Sequence, residues 1–251
     1  MKKIVSILIL LFFVSVQAQK VKKITEVNSL LETETYYVLK ANKDLKHGTY
    51  TKVGYYPKTV ISTGEYAYGK KKGVWVYYHA GCSIVKSKGS YENNKKVGEW
   101  FFYDNTGKQN QLYNYTTKDL IWSKENNQVQ EVFVGGVLKS IPLEKSASII
   151  GGVFNFELKL STDFHAFYKA YHKKEKPLNL SLVDISILIK KDGTVGEIKY
   201  NKPISNEVMI AYITKEIDAR KGKWLVAEYH GKKVAAYLNV RFGVSIKKYE
   251  N

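Results

Sequence analysis

Two periodicities divide this 251-residue chain. In residues 36–122, aromatic and apolar positions alternate with polar ones in short runs broken by glycine, asparagine and lysine. That period of two marks half-buried strands. Gly73-Val74-Trp75-Val76-Tyr77-Tyr78 places Trp75 and Tyr77 on one face and Val74, Val76 and Tyr78 on the other. After residue 148 the pattern changes. Residues 154–160 and 164–172 carry apolar side chains at roughly helical spacing, with Phe164, Phe167, Tyr168 and Tyr171 recurring at three and four. Residues 182–190 alternate as a strand, and Asp192-Gly193 signals a tight turn. Residues 195–200 alternate again and predict a hairpin. Ser205 predicts the cap of a helix over 206–219, with Val208, Ala211, Tyr212 and residues 215–217 as its inner stripe. Residues 234–246 read as a last strand.

The first region repeats. Gly48-Thr49-Tyr50, Gly73-Val74-Trp75 and Gly98-Glu99-Trp100 recur with a period of 25, and so do Gly64-Glu65-Tyr66 and Gly89-Ser90-Tyr91. Tyr68-Gly69-Lys70-Lys71 matches Asn93-Asn94-Lys95-Lys96, so Gly69 and Asn94 occupy equivalent places. Both residue types tolerate positive φ, as a hairpin turn requires. Each unit therefore predicts a strand, a lysine-rich turn and an aromatic strand. A lone hairpin is marginal, so units must stack and share aromatic contacts. Trp75, Trp100 and most of the tyrosines are expected as packing between units. The glycine–x–aromatic spacing and the run Tyr68-Gly69-Lys70-Lys71…Gly73…Trp75…Tyr78 resemble MORN-type repeats, in the bacterial variant found in secreted and antitoxin-like proteins. The resemblance implies a scaffold.

Between residues 123 and 148 both periodicities fade. Residues 130–138 suggest one more strand, broken at Gly135-Gly136, and residues 142–148 read as a linker. The expected organisation is a leader at 1–18, a hairpin array at 19–122, a linker with a possible extra strand at 123–148, and a second domain at 149–251. The expected class is mainly β plus α+β, a β-hairpin array followed by a small two-layer α+β domain.

The order of the second part is Gly151-Gly152, helix, Pro177, strand, Asp192-Gly193, strand, helix, Trp224, Gly231-Lys232-Lys233-Val234, strand. It resembles the C-terminal domain of the TonB family. That family follows its tryptophan with x-Pro-Ala, whereas here Trp224-Leu225-Val226-Ala227 lacks the proline. The resemblance implies a domain that binds a partner by strand addition. The last strand is expected at a sheet edge or near one, with its main chain supplying affinity and Tyr237, Asn239 and Arg241 supplying selectivity. Trp224 is expected as a lid between helix and sheet.

The beginning of the chain sets the expected compartment. Lys2 and Lys3 precede an apolar run over residues 4–16, and Val16-Gln17-Ala18 presents small residues to a signal peptidase. The run is shorter than the ~20 residues of a membrane-spanning helix. Export with cleavage after Ala18 is expected, which lowers the charge from +17 to +15 as Lys2 and Lys3 leave. The alternative is an uncleaved inner-membrane anchor, as in TonB-type energy transducers. Those also carry a proline-rich spacer, and the four prolines here are not clustered. Of the 40 basic residues only Arg220 and Arg241 are arginines. Bidentate phosphate and base recognition favours arginine, so nucleic acid is not an expected partner. Weak, salt-sensitive contact with anionic envelope surfaces is compatible with the lysines.

No catalytic pattern stands out. The five histidines, His47, His79, His165, His172 and His230, form no metal-ligand spacing, and His47 is expected in a turn. There is no G-x-S-x-G elbow and no phosphate-cradling loop before a helix. Cys82 is the single cysteine, so no intrachain disulfide forms. The expected function is non-enzymatic. It is an exported cell-envelope module, without metal or cofactor, that binds an extended segment of an envelope or outer-membrane protein. A TonB-type transport component and an envelope enzyme or inhibitor are the alternatives.

Overall fold

The computed structural model describes residues 20–28, 30–171, 182–202 and 207–243. The expected leader, Pro177, the Ser205 cap and residues 244–246 lie outside the described residues. Among the described residues the chain is mostly β.

Nine strands form the first sheet: β1 Val21–Val27, β2 Thr33–Leu39, β3 Lys46–Val53, β4 Val60–Ala67, β5 Lys70–Tyr78, β6 Val85–Glu92, β7 Lys95–Tyr103, β8 Gln109–Asn114 and β9 Asp119–Ser123. Each pairs antiparallel with the next, giving one meander of hairpins. The lysine-rich turns fall where the sequence places them. Tyr68-Gly69 joins β4 to β5 and Asn93-Asn94 joins β6 to β7, with both residues of each pair at positive φ. Two residues at positive φ give the turn whose twist matches the flanking strands. Successive turns are tied together. The Asn94 side chain accepts the Lys71 N–H at 2.7 Å, and the Asn94 N–H donates to the Lys71 carbonyl at 3.3 Å. His47, expected in a turn, lies in β3, where its Nδ1 accepts the Tyr68 N–H across the sheet.

The repeat aromatics form a continuous row. Trp75 and Trp100 are fully buried. Trp75 touches Tyr50, Tyr66, Tyr77 and Tyr91, and Trp100 touches Tyr77, Tyr91, Phe102 and Tyr115, with ring centroids 5.2 to 6.4 Å apart. Each indole N–H donates to a carbonyl ten residues earlier, Glu65 and Ser90 respectively, both at 3.1 Å. A lysine covers each ring: the Lys71 ammonium stands 3.9 Å from Trp75 and that of Lys96 3.8 Å from Trp100. Buried aromatic pairs and cation–π contacts of this kind each add on the order of 1 kcal/mol.

The second region begins earlier than expected. Its strands are β10 Val129–Val134, β11 Val137–Pro142, β12 Ser148–Ile149, β13 Leu182–Ile189, β14 Val195–Tyr200, β15 Trp224–Leu225, β16 Ala227–Tyr229, β17 Lys232–Val234 and β18 Ala236–Gly243. Its helices are α1 Val153–Tyr171 and α2 Glu207–Asp218. Residues 123–148 hold two strands where a linker with one possible strand was expected. Gly135-Gly136, both at positive φ, turn β10 into β11 as a hairpin. Together the larger strands form a sheet in the order β11-β10-β18-β13-β14.

One face of this sheet is apolar. Val183, Ile185, Ile187 and Ile189 of β13 and Ala236, Leu238, Val240 and Phe242 of β18 are buried with Phe156, Leu160 and Phe164 of α1. α2 presents Met209, Tyr212, Ile213 and Ile217. The expected inner stripe was rotated: Ala211 and Lys215 face solvent, because the apolar set 209, 212, 213, 217 follows the 3.6 period better. The Val208 side chain lies outside the described residues. Trp224 is buried beside Phe156, ring centroids 5.7 Å apart, and pairs with Ile149. No described helix is long and apolar enough to cross a membrane.

The two sheets meet at the start of α1. Gln111, fully buried in β8, donates to the Ile149 carbonyl at 3.0 Å and accepts the Gly151 N–H at 2.7 Å. The Asn155 amide donates to Tyr103 at 3.2 Å and to Gly151 at 2.8 Å. Leu225 and Ile150 pack on the Trp100–Phe102–Tyr113 cluster. Array and second sheet thus share buried polar and apolar contacts.

Candidate partner-binding surface

β18 carries the three residues singled out from the sequence. The order of strands corrects the expectation of a simple edge, since β18 lies between β13 and β10 and the outer strands are β14 and β11. The two neighbours differ greatly. β13 pairs with all eight residues of β18, from Ile189 opposite Ala236 to Leu182 opposite Gly243. β10 reaches it at one pair, Val132 opposite Ala236, with the Phe133 N–H on the Ala235 carbonyl at 2.9 Å. Beyond that point β10 diverges. Buried N–H and C=O groups need partners, so where β10 leaves β18 unpaired another group must cap its main chain.

On that second side the Arg241 N–H donates to the Glu157 carboxylate of α1 at 2.8 Å. N–H groups alternate between the two sides of a strand. Asn239, two residues earlier, therefore aims its N–H the same way, and its 237–241 neighbours at odd positions share that direction. A cleft of about 250 Å³ opens here between Lys124, Gln128, Phe154, Glu157 and Asn239. Burial pushes the Glu157 carboxyl above its usual range, opposed by the hydrogen bond from Arg241.

The side chains of the three residues share the face opposite the helices. Tyr237 is 2% exposed, so it is not a contact surface. Its hydroxyl donates to Glu197 at 2.7 Å and its ring lies 4.0 Å under the Lys199 ammonium. Asn239 and Arg241 are exposed. Ser186 donates to the Asn239 side-chain oxygen at 2.8 Å, while Arg241 places Nη2 2.7 Å and Nε 3.0 Å from Asp184. Asn201 donates to Asp184 at 2.8 Å. The Asn201 hydrogen bond, then Arg241, hold the Asp184 carboxyl below its ordinary range. The network braces β13 against β18 and leaves their main chains in a defined register. Glu157 was not foreseen, because nothing local to residue 157 signals an amide 84 positions away.

Among the described residues no three His, Cys, Asp or Glu side chains come together to hold a metal ion. His79 is buried, its Nε2 3.2 Å from the Tyr103 carbonyl, and burial lowers its pKa. The Cys82 thiol faces the His79 carbonyl at 3.7 Å. Compared with known proteins, the chain matches no family model, no curated protein and no solved structure.

Proposed function

We propose that this protein is a non-enzymatic, exported cell-envelope module that captures an extended segment of an envelope or outer-membrane protein by strand addition. In this reading the second sheet plays the part that the TonB-like order of elements implies, and the MORN-like array is the scaffold that carries it. One observation supports the reading above the others: β18 is laddered along its full length on one side and at a single pair on the other. An incoming strand would pair beside Asn239 to Gly243, displacing the Glu157 carboxylate from the Arg241 N–H. Main-chain hydrogen bonds would supply affinity, and Asn239 and Arg241 would read alternate side chains.

Asn239→Pro tests it. The proline removes an N–H on the open side and spares the ladder to β13. Envelope proteins retained on immobilised wild-type protein should be lost from this variant while its circular dichroism spectrum is unchanged. Retention of the same proteins with equal affinity would overturn strand addition at β18. Export is tested separately by intact mass of protein from the native envelope, which should begin at Gln19. A chain that keeps residues 1–18 in the inner membrane would instead favour the transducer reading.

A further inference from the structure

The junction of the two sheets holds a second cleft, of about 460 Å³. One wall is Lys86, Ser87 and Phe102 of the array. The other is the Ile149–Gly152 turn with the first turns of α1, and the end of α2 continues it to Lys223. Its floor is apolar, made by Phe102, Ile149 and Phe156.

The charge around it is unbalanced. Lys86, Lys159, Arg220 and Lys223 all line the cleft, and among the described residues Glu216 is the only lining carboxylate. Glu216 is committed to Arg220 at 2.8 Å, and Lys159 is paired with Asp163. Lys86 and Lys223 have no ion pair among the described residues. Arg220 is 8% exposed and packs its guanidinium 4.6 Å above the Phe156 ring. It spends Nη1 on the Glu216 carboxylate and main-chain carbonyl. Its Nη2 and Nε meet no acceptor among the described residues. Neither nitrogen is a fully buried unpaired atom, so this edge of the fork is open to solvent and to an incoming acceptor. Burial and the charge of Lys159 depress the Lys86 pKa, the cost of holding an ammonium beside other cations.

We propose that this cleft binds a phosphate-bearing ligand. A doubly charged phosphate balances the two unmatched lysines, and its oxygens accept from the free edge of the Arg220 fork. The apolar floor and the volume leave room for a further small, apolar portion of the ligand. A soluble phosphate monoester offers that dianion, and an anionic phospholipid headgroup offers the same acceptor oxygens with a single charge.

The test uses the full chain and two pairs of substitutions that remove the same charge. Lys86→Gln with Lys223→Gln alters the cleft. Lys70→Gln with Lys72→Gln alters exposed lysines on an array hairpin. Inorganic phosphate is titrated and followed by calorimetry and 31P line width at constant ionic strength. Saturable binding is expected, weakened about tenfold or more by the cleft pair and less than about twofold by the hairpin pair, as expected for losing charge-assisted contacts. Flotation with phosphatidylglycerol and phosphatidylcholine vesicles then separates the sources. Cleft-dependent binding to the anionic vesicles assigns a headgroup, and phosphate binding without it assigns a soluble ligand. Absence of saturable phosphate binding, or equal weakening by both pairs, overturns the proposal and leaves only a generally basic surface.

Discussion

Gly89 lies directly under the indole of Trp100: a Cβ built on Gly89 would stand 2.4 Å from the ring. The same relation holds one repeat earlier, where a Cβ on Gly64 would stand 2.2 Å from Trp75. The buried tryptophan of each aromatic strand thus fits only because the preceding strand offers no side chain. The other glycine series, Gly48, Gly73 and Gly98, serves a different purpose, since all three sit at positive φ just before the aromatic residue.

Gly89→Ala should therefore destabilise the protein by about 1–3 kcal/mol through forced displacement of Trp100. Urea unfolding followed by tryptophan fluorescence reads it. A loss below about 0.5 kcal/mol, the range of ordinary surface changes, would mean the indole moves aside without cost.

Lys96 gives a pH signature. Burial first, then Lys223 and Lys71, push its pKa down to about 8 from the ordinary 10.5. The unfolded chain then holds a proton that the folded chain has released. Lys96 therefore destabilises the fold by a constant amount below about 8, where both states hold the proton, and that penalty is relieved as pH climbs from about 8 toward 10.5. Comparing Lys96→Met with wild type across that range isolates it. Parallel stability curves for the two proteins would contradict the assignment.

Glu157 carries the opposite sign. Its folded-state pKa is raised, so its stabilising contribution is complete below the ordinary carboxylate range and is lost as pH rises through the raised value. Glu157→Gln keeps an acceptor for the Arg241 N–H and removes the charge. The variant should match wild type near pH ~4, around the ordinary carboxyl pKa, and exceed it at neutral pH. Thermal unfolding at the two pH values checks this. A neutral-pH loss in the variant would show that the charged hydrogen bond outweighs burial.

The β10–β11 hairpin should prove necessary to the second sheet. Val132 and Leu143 are fully buried in its core, and the Gln130 amide bonds Ala147 in both directions at 2.8 and 3.0 Å. A fragment beginning near Lys124 is expected to unfold cooperatively. One beginning at Ile149 is expected to lose about 2–5 kcal/mol, as deletion of large buried side chains does. Equal melting temperatures for the two fragments would return residues 123–148 to the role of a linker.

Much of the array was legible in the chain itself. Alternation, a fixed period and turn residues at positive φ are local properties, so Gly69, Asn94, Trp75 and Trp100 announce their roles without knowledge of the fold. The hairpin at 192–193 and both helices were legible for the same reason. Gly135-Gly136 carried a hairpin signal as strong as Asn93-Asn94 did, but outside the repeat period it read as a break. The face of α2 was misjudged by one position, because Lys215 and Ala211 suit a helix wherever they point.

The sequence by itself determined the repeat strands and their turns, the 192–193 hairpin, the two described helices, and the 25-residue rhythm that stacks the hairpins. Only the tertiary structure decided which strands are neighbours. β18 gained β10 on its second side, Glu157 reached the Arg241 amide, and Lys86, Arg220 and Lys223 came to one cleft. The physical reason is range. Turn and strand preferences act over a few residues, whereas burial of an apolar face and pairing of a distant charge depend on what the whole chain brings into contact.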